Sequence, residues 1–164
     1  MEASEYSQEI QASLKLFVVL NRAARAVNDR IAEDIRSYGL NPTEFAVLEL
    51  LYHKGDQPVQ AIGRKVLIAS SSITYVVDKL QARGYVERSA CPNDRRVVYT
   101  KLTAKGHSML NQIFPTHAAM IQQLFKHLTT EEQQILTTQL KMIGKQAQHS
   151  QANHENLAET TGIT

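Results

Sequence analysis

The chain has 164 residues, of which 43% are hydrophobic and 21% charged, as expected of a soluble globular protein with one compact domain or two small lobes. No apolar run approaches a membrane span, no secretory signal is visible, and the single cysteine excludes an intramolecular disulfide, so we expect a cytoplasmic protein without a membrane partner. The formal net charge is only +2, but residues 57–102 carry +5 and the rest of the chain −3. This distribution is expected of a polyanion-binding module, although charge alone favours an ordinary solvated surface.

The first two predicted elements are helices with clear ends. Apolar residues recur at three- and four-residue steps through residues 8–38, and Gly39 follows where a glycine commonly ends a helix. Residues 41–44 (Asn-Pro-Thr-Glu) combine a capping box with proline in the first turn, and predict a second helix that ends by residue 55. We expect residues 56–58 (Asp-Gln-Pro) to form a turn.

A pair of helices and a β-hairpin follow in the basic centre. Residues 60–66 predict a short helix, and the serines at 70–72 begin a second one that ends at Arg83-Gly84. Residues 85–88 and 97–102 contain β-branched and aromatic side chains, and turn residues connect them, so they predict two paired strands. A helix-turn-helix with a following hairpin is a winged helix-turn-helix, whose second helix can lie in a major groove.

The last third of the chain returns to helical spacing. Residues 103–126 predict a helix that Pro115 should bend, and residues 129–132 (Thr-Thr-Glu-Glu) form a capping box for a helix to about residue 147. We expect the polar, aperiodic residues 148–164 to be a disordered tail. The predicted fold is mainly α (α+β), with a winged helix-turn-helix over 39–102 between dimerisation helices over 8–38 and 103–147.

Three stretches of the sequence resemble the MarR family of transcription regulators. Asp94-Arg95-Arg96 with Leu102-Thr103 and Lys105-Gly106 is similar to the family's wing pattern, residues 77–86 resemble the end of its recognition helix, and residues 40–48 the helix before it. The resemblance covers residues 10–147 and is greatest to the branch that responds to quinones and phenolics. It implies a homodimer that binds double-stranded DNA. Motifs of nucleotide-binding or nucleophilic enzymes are absent, so we expect no enzyme activity and no cofactor.

The predicted DNA contacts lie on the second helix of the pair and on the hairpin. Short hydroxyl side chains at the helix start can approach phosphates, although they also serve as helix caps. Arg96 is the leading candidate for a contact in a narrow minor groove. Asp94 resembles the family's acidic residue that orients this arginine. An ordinary polar hairpin tip is the alternative. The predicted interface is Ser70, Ser71, Ser72, Thr74, Tyr75, Lys79, Asp94, Arg95 and Arg96.

The terminal helices carry more apolar surface than a small winged domain can cover, which predicts a homodimer on a pseudo-palindromic operator. The resemblance implies an effector pocket between these helices and the DNA-binding part. Its candidate lining residues are also candidates for the core: Phe17, Asn21, Phe45, Leu48, Tyr52 and Phe114. We expect a repressor that a small phenolic or quinone ligand releases from DNA.

Two other functions stay open at this point. Cys91 lies between Arg88 and Arg95, and cationic neighbours favour a reactive thiolate, so the hairpin could act as a redox sensor. A winged-helix protein-interaction module that has lost DNA binding is the second alternative, against which the basic hairpin argues. His107, His117 and His127 are ten residues apart and do not share a helix face, so we expect no metal site.

Overall fold

The computed structural model describes residues 6–66, 70–90 and 97–160, with side chains except those of residues 70–72 and 150–160. Helices dominate these ranges, and a small antiparallel sheet accompanies them, which confirms the predicted fold class. The elements in chain order are α1 (Gln8–Ser37), α2 (Pro42–Lys54), β1 (Gln57–Pro58), α3 (Val59–Lys65), α4 (Ser70–Ala82), β2 (Val86–Ala90), β3 (Val98–Leu102), α5 (Ala104–Leu124) and α6 (Thr130–Thr160). The chain divides into two compact units, one ending at Ile121 and one starting at Gln122.

Both predicted capping boxes are present. At the start of α2, the Glu44 N–H donates to Asn41 Oδ1 at 2.8 Å, and the Asn41 N–H donates to Glu44 Oε2 at 3.0 Å. At the start of α6, Thr129 and Glu132 exchange the same two bonds at 3.2 and 2.8 Å. Each box satisfies two of the backbone N–H groups that a helix start leaves unpaired, which explains why the sequence predicts these helix starts correctly.

The three strands form an antiparallel sheet in the order β1-β3-β2. Strand β2 pairs with β3 from Val86 opposite Leu102 to Ala90 opposite Val98, as expected of the predicted hairpin. The turn predicted at residues 56–58 is wrong for its last two residues, because Gln57 and Pro58 pair with Thr100 and Tyr99 of β3. A two-residue strand carries no alternation to detect, and proline is tolerated there since β1 is at the sheet edge.

The core of the first unit joins the helix-turn-helix to the sheet and to α5. Its fourteen buried hydrophobic residues come from seven different elements or their ends: Ile35, Leu40, Phe45, Val47, Leu48, Leu51, Ile62, Ile73, Val76, Val77, Leu80, Val86, Leu102 and Leu110. Gly106 lets α5 approach the wing closely, because a Cβ added there would lie 2.2 Å from the carbonyl oxygen of Tyr85. Close packing at this point therefore sets where the wing starts relative to α5.

Long apolar faces of α1 and α6 are exposed in the single chain. In α1 the periodic apolar residues Ile10, Leu14 and Phe17 are exposed, Phe17 by 64%, and only Ile35 is fully buried. In α6 the large apolar residues of one face are exposed as well: Ile135, Leu136, Leu140 and Ile143. Within each unit, these faces have no cover from the described part of the chain itself.

Helix α6 is longer than the sequence analysis predicted. Its apolar periodicity ends at Ile143, but the backbone stays helical to Thr160, so residues 148–160 of the predicted disordered tail are helical here. Residues 145–160 contain neither glycine nor proline and are rich in alanine and glutamine, which favour helices. Periodicity reports which face is buried rather than where a helix ends. No helix in the described ranges is long and apolar enough to cross a membrane.

Candidate nucleic-acid interface

Helix α4 has one buried face and one exposed face. Ile73, Val77 and Leu80 are buried in the core, whereas Thr74 is exposed and Tyr75 is exposed by 69%. An aromatic side chain so exposed on a helix has no packing role in the chain itself, and its hydroxyl and ring suit contacts to base edges or phosphates. The structure thus places Thr74 and Tyr75 on the outward face, where the sequence analysis expected DNA contacts.

Lys79, predicted as a groove contact, forms an ion pair with helix α2. Its Nζ lies 2.8 Å from Glu44 Oε1, and its side chain keeps 47% of its surface exposed while that of Glu44 keeps 2%. Burial raises the pKa of Glu44, but the hydrogen bonds from Lys79 and from the Asn41 N–H and the charges of Lys79 and Arg83 outweigh burial, so the pKa lies below its ordinary value. The ion pair connects α4 to α2, and the groove contact of Lys79 stays a prediction.

The C-terminal end of α4 is tied down by Arg83 and Lys105. Arg83 Nη2 donates to the carbonyl oxygen of Gly39 at 3.0 Å, and its Nη1 lies 3.4 Å from Glu44 Oε2. The guanidinium and Lys105 Nζ each lie 5.0 Å from the centre of the Tyr85 ring, while Lys105 also donates to the carbonyl oxygen of Arg83 at 2.7 Å. These cation–π and helix C-terminal contacts join α4 to the α1–α2 junction, the wing and α5.

Arg88 of strand β2 contacts three residues along helix α4. Its guanidinium forms an ion pair with Asp78, donates to Gln81 Oε1 at 3.1 Å, and reaches the carbonyl oxygen of Thr74 at 3.5 Å. This tie was not predicted, although strand alternation places Arg88 on the same face as the buried Val86 and hence towards α4. The wing strand and the exposed helix are therefore connected along most of the helix length.

A cavity of about 320 Å³ lies between α3, α4 and the wing strands. Its wall contains the Arg88–Asp78 ion pair next to apolar side chains of β1, α3 and β3. The described lining residues are Pro58, Val59, Gln60, Thr74, Asp78, Arg88, Val97 and Val98. Among these, only Thr74 belongs to the residues that the sequence analysis selected, and it was selected for DNA contact.

The predicted effector-pocket residues fall into two groups. Phe45 and Leu48 are buried in the core; Tyr52 and Phe114 lie at its edge, with ring centres 5.9 Å apart, and the Tyr52 hydroxyl donates to Asn111 at 2.7 Å. Phe17 and Asn21 lie on the exposed half of α1, where the Asn21 amide donates to the Phe17 carbonyl oxygen. The structure brings Tyr52 and Phe114 together and leaves the α1 pair exposed.

A buried histidine–carboxylate pair joins α5 to α1. His117 is 3% exposed, its Nδ1 lies 2.7 Å from Asp34 Oδ2, and its ring centre lies 4.6 Å from that of Phe45. Tyr38 also donates to Asp34, at 3.1 Å. His117 follows the helical spacing of residues 103–126, but no local pattern indicates a partner so far along the chain. In the described ranges no group of three or more potential ligands could hold a metal ion.

Several residues with a predicted DNA-binding or redox role lie wholly or in part outside what the structure describes. Cys91, Asp94, Arg95 and Arg96 all belong to the undescribed stretch 91–96, so the structure describes the wing strands but not the segment that joins them. For Ser70, Ser71 and Ser72 the backbone is described as the first turn of α4, and the side chains are not. The roles proposed for these seven residues remain predictions.

The short helix α3, the exposed helix α4 and the β2–β3 pair together define a winged helix-turn-helix, a DNA-binding class. The MarR family model matches residues 40–98 of the chain. The chain is 56% identical over 137 residues to the HTH-type transcriptional regulator MhqR of Bacillus subtilis (strain 168), covering 84% of this chain and 94% of that protein. It is 42% identical over 149 residues to the uncharacterized HTH-type transcriptional regulator YkoM of the same organism, covering 91% and 97%.

The chain therefore belongs to the MarR family, as its wing and recognition-helix patterns predicted. Its fold is similar to that of Sco3205, a MarR family transcriptional regulator from Streptomyces coelicolor crystallised in complex with DNA, with a TM-score of 0.74 and 23% identity over 87% of this chain and 93% of that one. The protein is a DNA-binding transcription regulator and not an enzyme.

Proposed function

We propose that the protein is a homodimeric repressor that binds a pseudo-palindromic operator and leaves it when a small aromatic or electrophilic effector binds. The observation that carries this proposal is the outward face of α4, where Thr74 and Tyr75 are exposed and the helix is held to α2 and to the wing by ion pairs. A helix held in one orientation with free polar side chains is suited to read a major groove.

The exposed apolar faces support a homodimer. Phe17 and its neighbours on α1, and Ile135 with Leu140 on α6, are large side chains that a monomer rarely exposes in continuous rows. A second copy offers identical faces, and a twofold axis is the commonest way to cover them. Two copies would then present two α4 helices to DNA, with half-sites about one helical turn apart.

The wing completes the proposed interface. Strands β2 and β3 are paired up to Ala90 and Val98, and residues 91–96 connect them along the chain. Arg96 in that connection would enter a narrow, electronegative minor groove, and Asp94 would orient it. Arg95 and the serines at 70–72 would bind phosphates.

Release by an effector requires unequal affinity for two states of the dimer. A ligand shifts DNA binding only if it prefers the state in which the two α4 helices do not fit successive grooves. The half-buried pair Tyr52 and Phe114, with the amide of Asn111 at the Tyr52 hydroxyl, offers aromatic surface and polar groups that suit a phenolic ligand. Sequence resemblance to the branch that responds to quinones and phenolics favours the same ligand class.

The proposal is tested by selecting duplexes from a random-sequence pool with the full-length protein and by measuring its mass by light scattering. We expect the mass of two chains and an enriched inverted repeat. A monomer mass, or an enriched sequence without twofold symmetry, would refute the dimeric repressor. Subsequent addition of a hydroquinone should reduce the affinity for the enriched duplex, whereas an unchanged affinity would remove that ligand class.

A further inference from the structure

Glu44 is a buried carboxylate that serves two helices at once. Its Oε2 accepts the Asn41 N–H at 3.0 Å and so completes the cap of α2. Its Oε1 lies 2.8 Å from Lys79 Nζ, and Arg83 Nη1 lies 3.4 Å from Oε2; both cations belong to the α4 segment. The carboxylate is only 2% exposed, so little water is available to replace either partner.

The capping role alone does not explain this arrangement. A glutamine at the same position would accept the Asn41 N–H equally well, and a cap does not need cations from another helix. A charged carboxylate in a buried position is stable only while it is paired, and removing one partner of such a pair is costly. The charge of Glu44 is therefore stabilised by two cations of the α4 segment in addition to the N-terminal end of its own helix.

The pairing constrains how α4 can turn about its axis. Tyr75 and Lys79 are one helical turn apart and lie on the same strip of the helix surface. Because Lys79 is anchored at α2, rotation or sliding of α4 that moved Tyr75 would separate Lys79 from the buried carboxylate. The rotational setting of the outward residues thus depends on a residue that does not itself face outward.

We infer that Glu44 is a positioning residue that sets the orientation of the recognition helix α4, with Lys79 as its partner and not as a phosphate contact. The inference rests on the proposed operator binding and deepens it, because it assigns part of the discrimination between DNA sequences to a residue outside the interface. Thr74 and Tyr75 make the contacts, and Glu44 determines where they point.

The experiment compares Glu44→Gln, Lys79→Gln and Lys79→Arg with the wild-type protein on two duplexes of equal length, one enriched by selection and one unrelated. The readout is the Kd for the unrelated duplex divided by the Kd for the enriched duplex. Partial unfolding lowers the active fraction equally for both duplexes and therefore leaves this ratio unchanged. Asn41→Ala is the matched control, because it removes the side-chain half of the cap and keeps both the charge of Glu44 and the backbone donor.

We expect Glu44→Gln and Lys79→Gln each to lower the ratio by about fivefold or more, the loss expected when a base contact is misplaced. The double variant Glu44→Gln/Lys79→Gln should lower the ratio no further than either single variant does. Lys79→Arg, which keeps the positive charge, should have a ratio close to that of the wild type. Asn41→Ala should lower the melting temperature and leave the ratio unchanged. The slope of log Kd against log salt concentration should stay the same in Lys79→Gln, whereas a lost phosphate contact would reduce it by roughly 0.9 per lysine.

An unchanged ratio in Glu44→Gln, or a reduced salt slope in Lys79→Gln, would overturn the inference. If Glu44→Gln does not fold, the half-exposed Lys79 variants decide the matter by the same two readouts. A wild-type protein that enriches no duplex refutes the proposed function, whereas normal wild-type discrimination with unaffected variants refutes only the positioning role.

Discussion

Replacing Gly106 by alanine tests the contact between α5 and the wing. The new Cβ would lie 2.2 Å from the carbonyl oxygen of Tyr85 and 3.1 Å from Leu102 Cδ2. The Tyr85 oxygen is backbone and accepts the Thr103 N–H at 3.0 Å, so it cannot move aside without weakening the connection between β3 and α5. Movement must therefore spread into the wing or the helix.

The expected destabilisation is the difference of two opposing effects. Overpacking of this kind costs about 1–3 kcal/mol, and a clash with backbone lies towards the upper end. Gly106 lies in the first turn of α5, where alanine gains at most about 1 kcal/mol over glycine, and this gain offsets part of the cost. We therefore expect a net loss of about 1–2 kcal/mol in the free energy of unfolding.

The assay is urea unfolding followed by circular dichroism at a fixed protein concentration, since the stability of a dimer depends on concentration. Gly144→Ala is the matched control, because Gly144 lies inside α6 and a Cβ there meets nothing within 4 Å in the single chain. This control should be as stable as the wild type or gain up to about 1 kcal/mol. A Gly106→Ala protein as stable as the control would refute the reasoning.

Four further predictions concern DNA binding, stability and pH. Arg96→Ala should weaken binding to the selected duplex at least about fivefold in a gel-shift assay while the light-scattering mass stays that of the wild type; an unchanged affinity would remove the wing from the interface. Arg88→Ala should cost about 1–2 kcal/mol in urea unfolding, and more than Arg88→Lys, because lysine keeps an ion pair with Asp78 but cannot reach three acceptors. The pKa of Glu44 is lowered by folding, so its stabilising contribution is present above its ordinary pKa and is lost as the pH falls through the folded value; the loss of stability in acid should be smaller in Glu44→Gln, and equal acid profiles would contradict this. The Cys91→Ser protein should still dissociate from DNA when a quinone is added, because the proposed release needs no thiol. A variant that stays bound to DNA would favour the redox alternative.

The predictable parts of the fold are those with local signals. The capping boxes at Asn41 and Thr129 and the apolar spacing of α2 and α4 each lie within a few residues, and the structure contains all of them. The second role of Glu44 could not be predicted in the same way. Its spacing from Asn41 explains a cap completely, so nothing local indicates a further partner on α4.

In the candidate site, too, the features with a local sequence signal were predictable and the contacts between distant residues were not. The outward placement of Tyr75 follows from helical periodicity, because it lies between core positions of α4. The pairing of Lys79 with Glu44, the tie from Arg88 to α4, and the bond between His117 and Asp34 all join residues that are distant along the chain. Such contacts depend on how the elements pack, which a single sequence does not specify.

The short strand β1 has a consequence for crowding of copies on DNA. An open sheet edge offers a row of backbone donors and acceptors on which a strand from another molecule can align. Here that edge is two residues long, and one of them, Pro58, has no N–H to donate. This edge therefore offers a neighbouring copy little backbone on which to align a strand.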